Sequence, residues 1–202
     1  VNPVNCFFYD AQLTEQPYQL QLQIPQQWQI ASALQFDENL TVEISNFDRL
    51  ADSPFICSAN IERRSYEVAG TTFHICFNEQ SMIPWERVLQ DFEKFTSRQI
   101  QDFGVFPSAH YTFLIQALPY AAYHGVEHLD STVIALGPSC DIFGSLYTEL
   151  LGVCSHELYH AWNIKALRPT EMLPYDFKRE NYAQAGFIYE GITTYMGDLY
   201  LL

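Results

Sequence analysis

The chain has 202 residues, 48% of them apolar, and carries 24 acidic against 10 basic side chains for a formal net charge of −14. That length and composition allow a sizeable buried core in one or two domains. The negative charge argues against a phosphate-backbone partner, so no nucleic-acid role is expected, and it favours cationic or amine-bearing ligands.

No stretch reaches the ~18 consecutive apolar residues of a membrane span, and nothing reads as a signal peptide. The chain opens at Val1 without an initiator Met and stops at Leu202 inside an apolar, helical run. An internal fragment of a longer protein is therefore expected. The five cysteines (Cys6, Cys57, Cys76, Cys140, Cys154) are odd in number and lack C-x-x-C spacing. They read as free thiols of a reducing compartment, with a Cys57–Cys76 cross-strand bridge as the alternative. A cytoplasmic location is expected, or a periplasmic one if a leader has been removed.

The first third is written in β code. Tyr18, Leu20, Leu22 and Ile24 alternate with glutamines until Pro25, the period of a half-buried antiparallel strand. Further short strands are predicted at 28–34, 40–44, 55–61, 66–68 and 72–77, separated by turns at Asn46–Asp48 and Asp52–Pro54. Near Asn78 to Pro84 the pattern changes, which predicts a β-sheet domain over 1–80 and a second domain over 81–202.

Pro84 suits a first helical turn, and Trp85, Val88, Leu89, Phe92, Phe95 and Ile100 recur at helical spacing until Gly104 and Pro107. The runs 110–117 and 132–136 are strongly β-prone. Between them, Tyr123 to Asp130 reads as a loop placed for substrate contacts. Its Glu127 is either an ordinary loop carboxylate or an anchor for a peptide's α-ammonium, which would fix the scissile carbonyl at a set distance. His124 and His128 read as surface imidazoles or as site residues.

The pattern that carries chemistry is His156-Glu157-Leu-Tyr-His160. On a helix, residues four apart share a face, so two imidazoles can aim at one Zn²⁺ while Glu157 stands beside it as a general base. Metal-assisted hydrolysis follows, since zinc lowers the pKa of a water toward ~7. Leu146, Leu150, Val153, Leu158 and Ala161 form the apolar stripe of a buried helix. Cys154 points away from the metal side and reads as packing. Lys165 and Arg168 follow the helix as cations suited to its C-terminus, or to substrate.

A catalytic zinc takes a third protein ligand. Residues 181–202 read as a second, mostly apolar helix carrying Glu190, whose charge would be costly there without a cation. Asp198 and Glu180 are the alternatives.

With His156 to Pro169, Pro174-Tyr-Asp176, Glu180-Asn-Tyr182, Tyr189 to Tyr195, and the earlier Tyr123 to His128, the chain resembles the glycyl aminopeptidase family of gluzincin metallopeptidases. The resemblance implies an α+β fold: an antiparallel β-sheet domain, then the N-terminal part of a thermolysin-like zinc metallopeptidase domain, with a mixed sheet, a zinc helix and a third-ligand helix. It implies zinc bound by His156, His160 and Glu190, a base at Glu157, and substrate binding by Gly125, Glu127 and His128. It also implies downstream helical and PDZ domains in the full-length protein, with the catalytic domain truncated here at its C-terminal end. Tyr182, Tyr189 and Tyr195 read as structural.

The family pattern is not matched throughout. Related enzymes carry a Gly-x-Met-Glu-Asn loop where this chain has Gly125-Val126-Glu127-His128. Thermolysin-like sites often place an aspartate four residues after the ligand glutamate, to orient a ligand histidine, whereas Thr194 stands there.

The activity expected is a zinc aminopeptidase that removes the N-terminal residue, glycine or another small one by resemblance, from peptides with a free N-terminus. The rivals are a zinc endopeptidase and a catalytically impaired or inactive peptide-binding relative.

Overall fold

The computed structural model describes residues 1–80 and 82–202; Ser81, where the second domain was expected to begin, lies outside the described residues. A first turn, α1 (Pro3–Cys6), is capped by the Asn2 side chain. Strand β1 (Tyr18–Gln21) pairs antiparallel with β3 (Thr41–Ile44), and β2 (Gln29–Ser32) pairs antiparallel with β4 (Phe55–Ser58). Tyr18 and Leu20 turn inward while Gln19 and Gln21 face water, as the alternation predicts.

Asn46–Asp48 is not a turn. It opens a short helix, α2 (Phe47–Ala51), because the Asn46 side chain accepts the Arg49 N–H at 2.8 Å and so satisfies a first-turn donor. Phe47 and Leu50 on this helix pack with Val42 and Ile44, and Tyr9 stacks on Phe47 with ring centroids 4.4 Å apart.

The central element is a five-stranded mixed sheet in the order β5-β6-β7-β9-β8. Strands β5 (Ile61–Val68) and β6 (Thr71–Asn78) form a hairpin through Ala69 and Gly70, both at positive φ, as a two-residue turn that follows the sheet's twist requires. Helix α3 (Trp85–Phe103) then crosses over so that β7 (His110–Ala117) lies parallel to β6. Gly104, at φ +82°, ends the helix by donating its N–H to Ile100 at 2.7 Å.

Strand β9 (Ser131–Gly137) lies parallel to β7, and β8 (Ala122–Glu127) pairs antiparallel with β9 at the sheet's edge. The segment expected to be a loop is therefore mostly a strand. An edge strand with one side unpaired and polar residues mixed in has no apolar run to announce it.

The sheet is buried on both faces, which is why β7 reads as a continuous apolar run. Phe73, Ile75, Phe77, Phe113 and Ile115 face α3 and a further helix, α4 (Tyr147–Tyr159), while Cys76, Leu114 and Val133 pack with Ile61 of β5 against Ala31 of β2 and Ile56 of β4. A last helix, α5 (Gly186–Leu199), packs on α4; it begins later than the predicted 181.

The fold is α+β, with paired antiparallel strands leading into a mixed sheet and helices. A division after residue 80 would pass through that sheet, because β6 on one side pairs along its length with β7 on the other. All five cysteines are free, so Cys57 and Cys76 form no bridge. Among the described residues no helix is long and apolar enough to cross a membrane.

Candidate active site

Helix α4 buries Leu150, Val153, Cys154 and Leu158 against the core, while His156, on the opposite face, is only half-buried. His160 closes the helix. The two Nε2 atoms stand 3.1 Å apart, with rings inclined at 80°. Glu190 on α5 brings Oε2 to 3.5 Å from His156 Nε2 and 3.6 Å from His160 Nε2.

The second imidazole has a fixed tautomer. His160 Nδ1 lies 2.9 Å from the Asn163 carbonyl, an acceptor, so the ring proton sits on Nδ1 and Nε2 offers a lone pair to the cluster. Burial, then the neighbouring His160, holds the His156 imidazole below its ordinary pKa, which favours the neutral, ligating form. Two imidazole nitrogens and a carboxylate oxygen at one point are held together best by a cation.

Glu157 is the buried carboxylate of the site, 5% exposed, and its Oε2 has no hydrogen-bond partner among the described residues. Burial, then the charges of Glu127 and Glu190, push its pKa up to about 8. Glu127, at the end of β8, is half-buried, and one of its oxygens falls within 4.8 Å of the ligand atoms of both Glu157 and His160. Two facing carboxylates, one with an unpartnered oxygen, make this spot attractive to a second positive group, such as an ammonium.

Gly125 explains how Glu157 fits. A Cβ built at that position would meet Glu157 Cδ at 2.6 Å and Cγ at 2.8 Å, so β8 passes over the carboxylate only because residue 125 has no side chain.

Several sequence expectations need correction. His128 is not a surface imidazole: it is 7% exposed, and its Nδ1 lies 3.0 Å from Asp52 Oδ1. That contact anchors the end of β8 to Asp52. Lys165 donates to the same Asp52 oxygen at 2.7 Å instead of serving the helix terminus, and the Leu129 N–H completes the set at 2.9 Å. Arg168 does reach a terminal carbonyl, that of Lys165, at 3.1 Å, and it also pairs with Asp48. His124 is exposed.

The sequence places Glu190 as a charge in apolar surroundings. Its side chain is 61% exposed, because α5 meets α4 only through a narrow face that includes Thr193 and Gly197. The residue reaches the cluster all the same. Asp198 and Glu180 belong to neither group of convergent ligand atoms, and Glu180 pairs with Tyr182. Tyr182 and Tyr195 are largely exposed and hold no core together.

Sequence reasoning missed the roles of three residues. Asp52, 113 residues before its partner Lys165, gave no signal beyond lying in a turn. Asn163 follows the second histidine by three positions, inside the quoted motif. Thr194 Oγ1 stands 3.5 Å from His156 Nδ1, the place left unassigned by the missing aspartate.

The sequence model described as M61 glycyl aminopeptidase matches residues 149–202, and that described as peptidase M61 N-terminal domain matches residues 1–59. No curated protein matches. Among solved structures, an aminopeptidase N family protein from Idiomarina loihiensis aligns with a TM-score of 0.84 at 27% identity over 93% of this chain. The chain spans only 34% of that protein's length. An M1 zinc metallopeptidase from Deinococcus radiodurans aligns over 73% of this chain and 34% of its own, at 15% identity and a TM-score of 0.45.

Proposed function

Because the chain belongs to the M61 glycyl aminopeptidase family of peptidases, we propose that it carries the reactive centre of a zinc-dependent aminopeptidase acting on peptides with a free N-terminus. The observation that carries this reading is the convergence of His156 Nε2, His160 Nε2 and Glu190 Oε2 beside the unpartnered oxygen of Glu157. Two imidazoles and one carboxylate are a catalytic zinc donor set, one short of the four ligands that close a structural site. Bound there, Zn²⁺ would polarise a carbonyl, make a water acidic, and draw the Glu157 carboxyl down from about 8.

The chain's own residues supply the rest. Glu127 pairs with the substrate's α-ammonium, which limits cleavage to the first peptide bond. Glu157 takes the proton of the attacking water and returns it to the leaving amine. Its burial beneath β8 keeps bulk water from competing for that proton. A preference for glycine or another small residue rests on the family alone.

The test is elemental analysis of the purified chain beside His156→Ala and Glu190→Ala, with hydrolysis of a glycyl peptide and its N-acetylated form. About one zinc per chain is expected, lost from both variants at micromolar protein, with cleavage of the free peptide only. No zinc in the wild type after supplementation overturns the metal site. Equal cleavage of the blocked peptide turns the reading to an endopeptidase, and zinc without any cleavage by the full-length protein to a peptide-binding relative.

A further inference from the structure

The chain does not leave the zinc-motif helix by ordinary fraying. After His160 the turn widens, with Lys165 N–H donating to the His160 carbonyl at 3.1 Å and Leu167 N–H to Trp162 at 3.0 Å, each across five residues. Inside this turn Asn163 adopts φ −91°, ψ 87°, and Ile164 adopts φ +120°. A β-branched residue at positive φ is a backbone outlier that only surrounding structure can impose. Trp162 supplies part of that structure: its Nε1–H donates to Val105 at 2.8 Å and its ring stacks on Phe103. Lys165, held by Asp52, fixes the other side.

The consequence is the direction of one carbonyl. In a continuing helix the Asn163 C=O would point forward along the axis, away from His160. The turned peptide points it back, 2.9 Å from His160 Nδ1. The same residue's side chain runs the other way. Its Nδ2 donates to the Tyr189 carbonyl at 3.2 Å and to Thr193 Oγ1 at 3.0 Å, and both acceptors lie on α5, on either side of Glu190 in sequence. Thr193 is fully buried, and its hydroxyl donates to Tyr189 at 2.5 Å, so this part of α5 is seated on Asn163 through two linked acceptors.

We infer that Asn163 is a positioning residue for the metal site, its backbone setting the tautomer of His160 while its side chain seats the helix that presents Glu190. Ligands on two separate helices are thereby aligned from one point, before any ion arrives. The strain at Ile164 is what lets one residue face both ways. The inference rests on the proposed metal site for its functional meaning, and its structural content can be read without metal.

The test uses the full chain with Asn163→Ala, the isosteric Asn163→Asp, which has no side-chain N–H to donate, Glu190→Ala, and the Asn163→Ala, Glu190→Ala double variant. Zinc dissociation constants come from competition with a chromophoric chelator. Loss of a partner that orients a ligand weakens metal binding about 10–100-fold, and that loss is expected in both Asn163 variants. In the Glu190→Ala background the further loss should be under about 3-fold, because residues acting through one another are not additive. On metal-free protein, ¹⁵N shifts above the imidazole titration should show His160 protonated on Nδ1 in the wild type and mixed in Asn163→Ala. Amide exchange over 186–199 should quicken while that over 147–159 does not.

Unchanged zinc affinity in a folded Asn163 variant, multiplying losses in the double variant, or a wild-type His160 protonated on Nε2 each overturn the inference. If the wild type takes up no zinc, the proposed function fails instead, and the tautomer and exchange measurements still decide the role of Asn163.

Discussion

Gly125 and Glu157 occupy space that would otherwise hold one methyl group: a Cβ on residue 125 would lie 2.6 Å from the Glu157 carboxyl carbon. The strand that carries Glu127 and the helix that carries Glu157 are thus fitted through the absence of a side chain. Gly125→Ala must push Glu157 aside or lift β8, while His156, His160 and Glu190 lie outside that contact. We expect kcat to fall about 10²–10⁴-fold, the range of a misplaced general base, with zinc content unchanged. Steady-state kinetics and metal analysis on the same preparation check this. Full activity in a zinc-loaded variant would mean that β8 yields without moving the carboxylate.

A second close approach holds α4 and α5 together. A Cβ on Gly197 would meet His156 Cα at 3.0 Å and its N at 3.1 Å, so any side chain there must push α5 off α4 by at least a few tenths of an ångström. Backbone atoms cannot rotate away as a side chain can. Gly197→Val should separate the helices, lower stability by about 1–3 kcal/mol as overpacking does, and weaken zinc binding through both His156 and Glu190. Urea titration of the metal-free chain beside chelator competition tests both parts.

How the sequence foretold these features depends on distance along the chain. His156, Glu157 and His160 were legible because one helix turn brings them together whatever the rest of the fold does. Glu190 was found for a reason the structure does not share, since its side chain is exposed. What joins it to the histidines is the seating of α5 through Thr193 on Asn163 and through Gly197 on His156, and helical spacing alone does not report which face of a mostly apolar helix is packed. Strand β7 announced itself through burial on both faces. Strand β8 did not, because an edge strand with polar residues mixed in carries the composition of a loop. The Asp52, His128 and Lys165 cluster depends on three distant segments meeting, and no local pattern encodes that.

Thr194 offers a direct test of the histidine that lacks a strong partner. Its Oγ1 is 3.5 Å from His156 Nδ1, at the outer limit of a hydrogen bond. A carboxylate there would accept the Nδ1 proton firmly and make Nε2 a better donor to metal. Thr194→Asp should therefore tighten zinc binding about 10-fold or more, toward the upper end of such partner effects, and Thr194→Val should change it little. A fall in affinity in Thr194→Asp would show that the ring's orientation is set elsewhere.

The last prediction concerns acid stability and follows from Asp52. Burial alone would push its carboxyl up, but the His128 hydrogen bond and the Lys165 ammonium more than reverse this and hold it well below the usual carboxylate range. A carboxyl whose folded pKa is depressed contributes stability above its unfolded value of about 3.9, and that contribution is lost as pH falls toward the folded pKa. The wild type should thus lose stability steadily below about pH 4, as the unfolded chain binds a proton that the folded chain refuses. Asp52→Asn removes this slope. Near neutrality the same substitution leaves the Lys165 ammonium, only 9% exposed, without its carboxylate, at a cost of about 3–5 kcal/mol. The difference between wild type and variant should therefore be largest near neutral pH and shrink as pH falls. Urea unfolding of both proteins across that range measures it, and a constant difference would mean that Asp52 is already protonated in the folded chain.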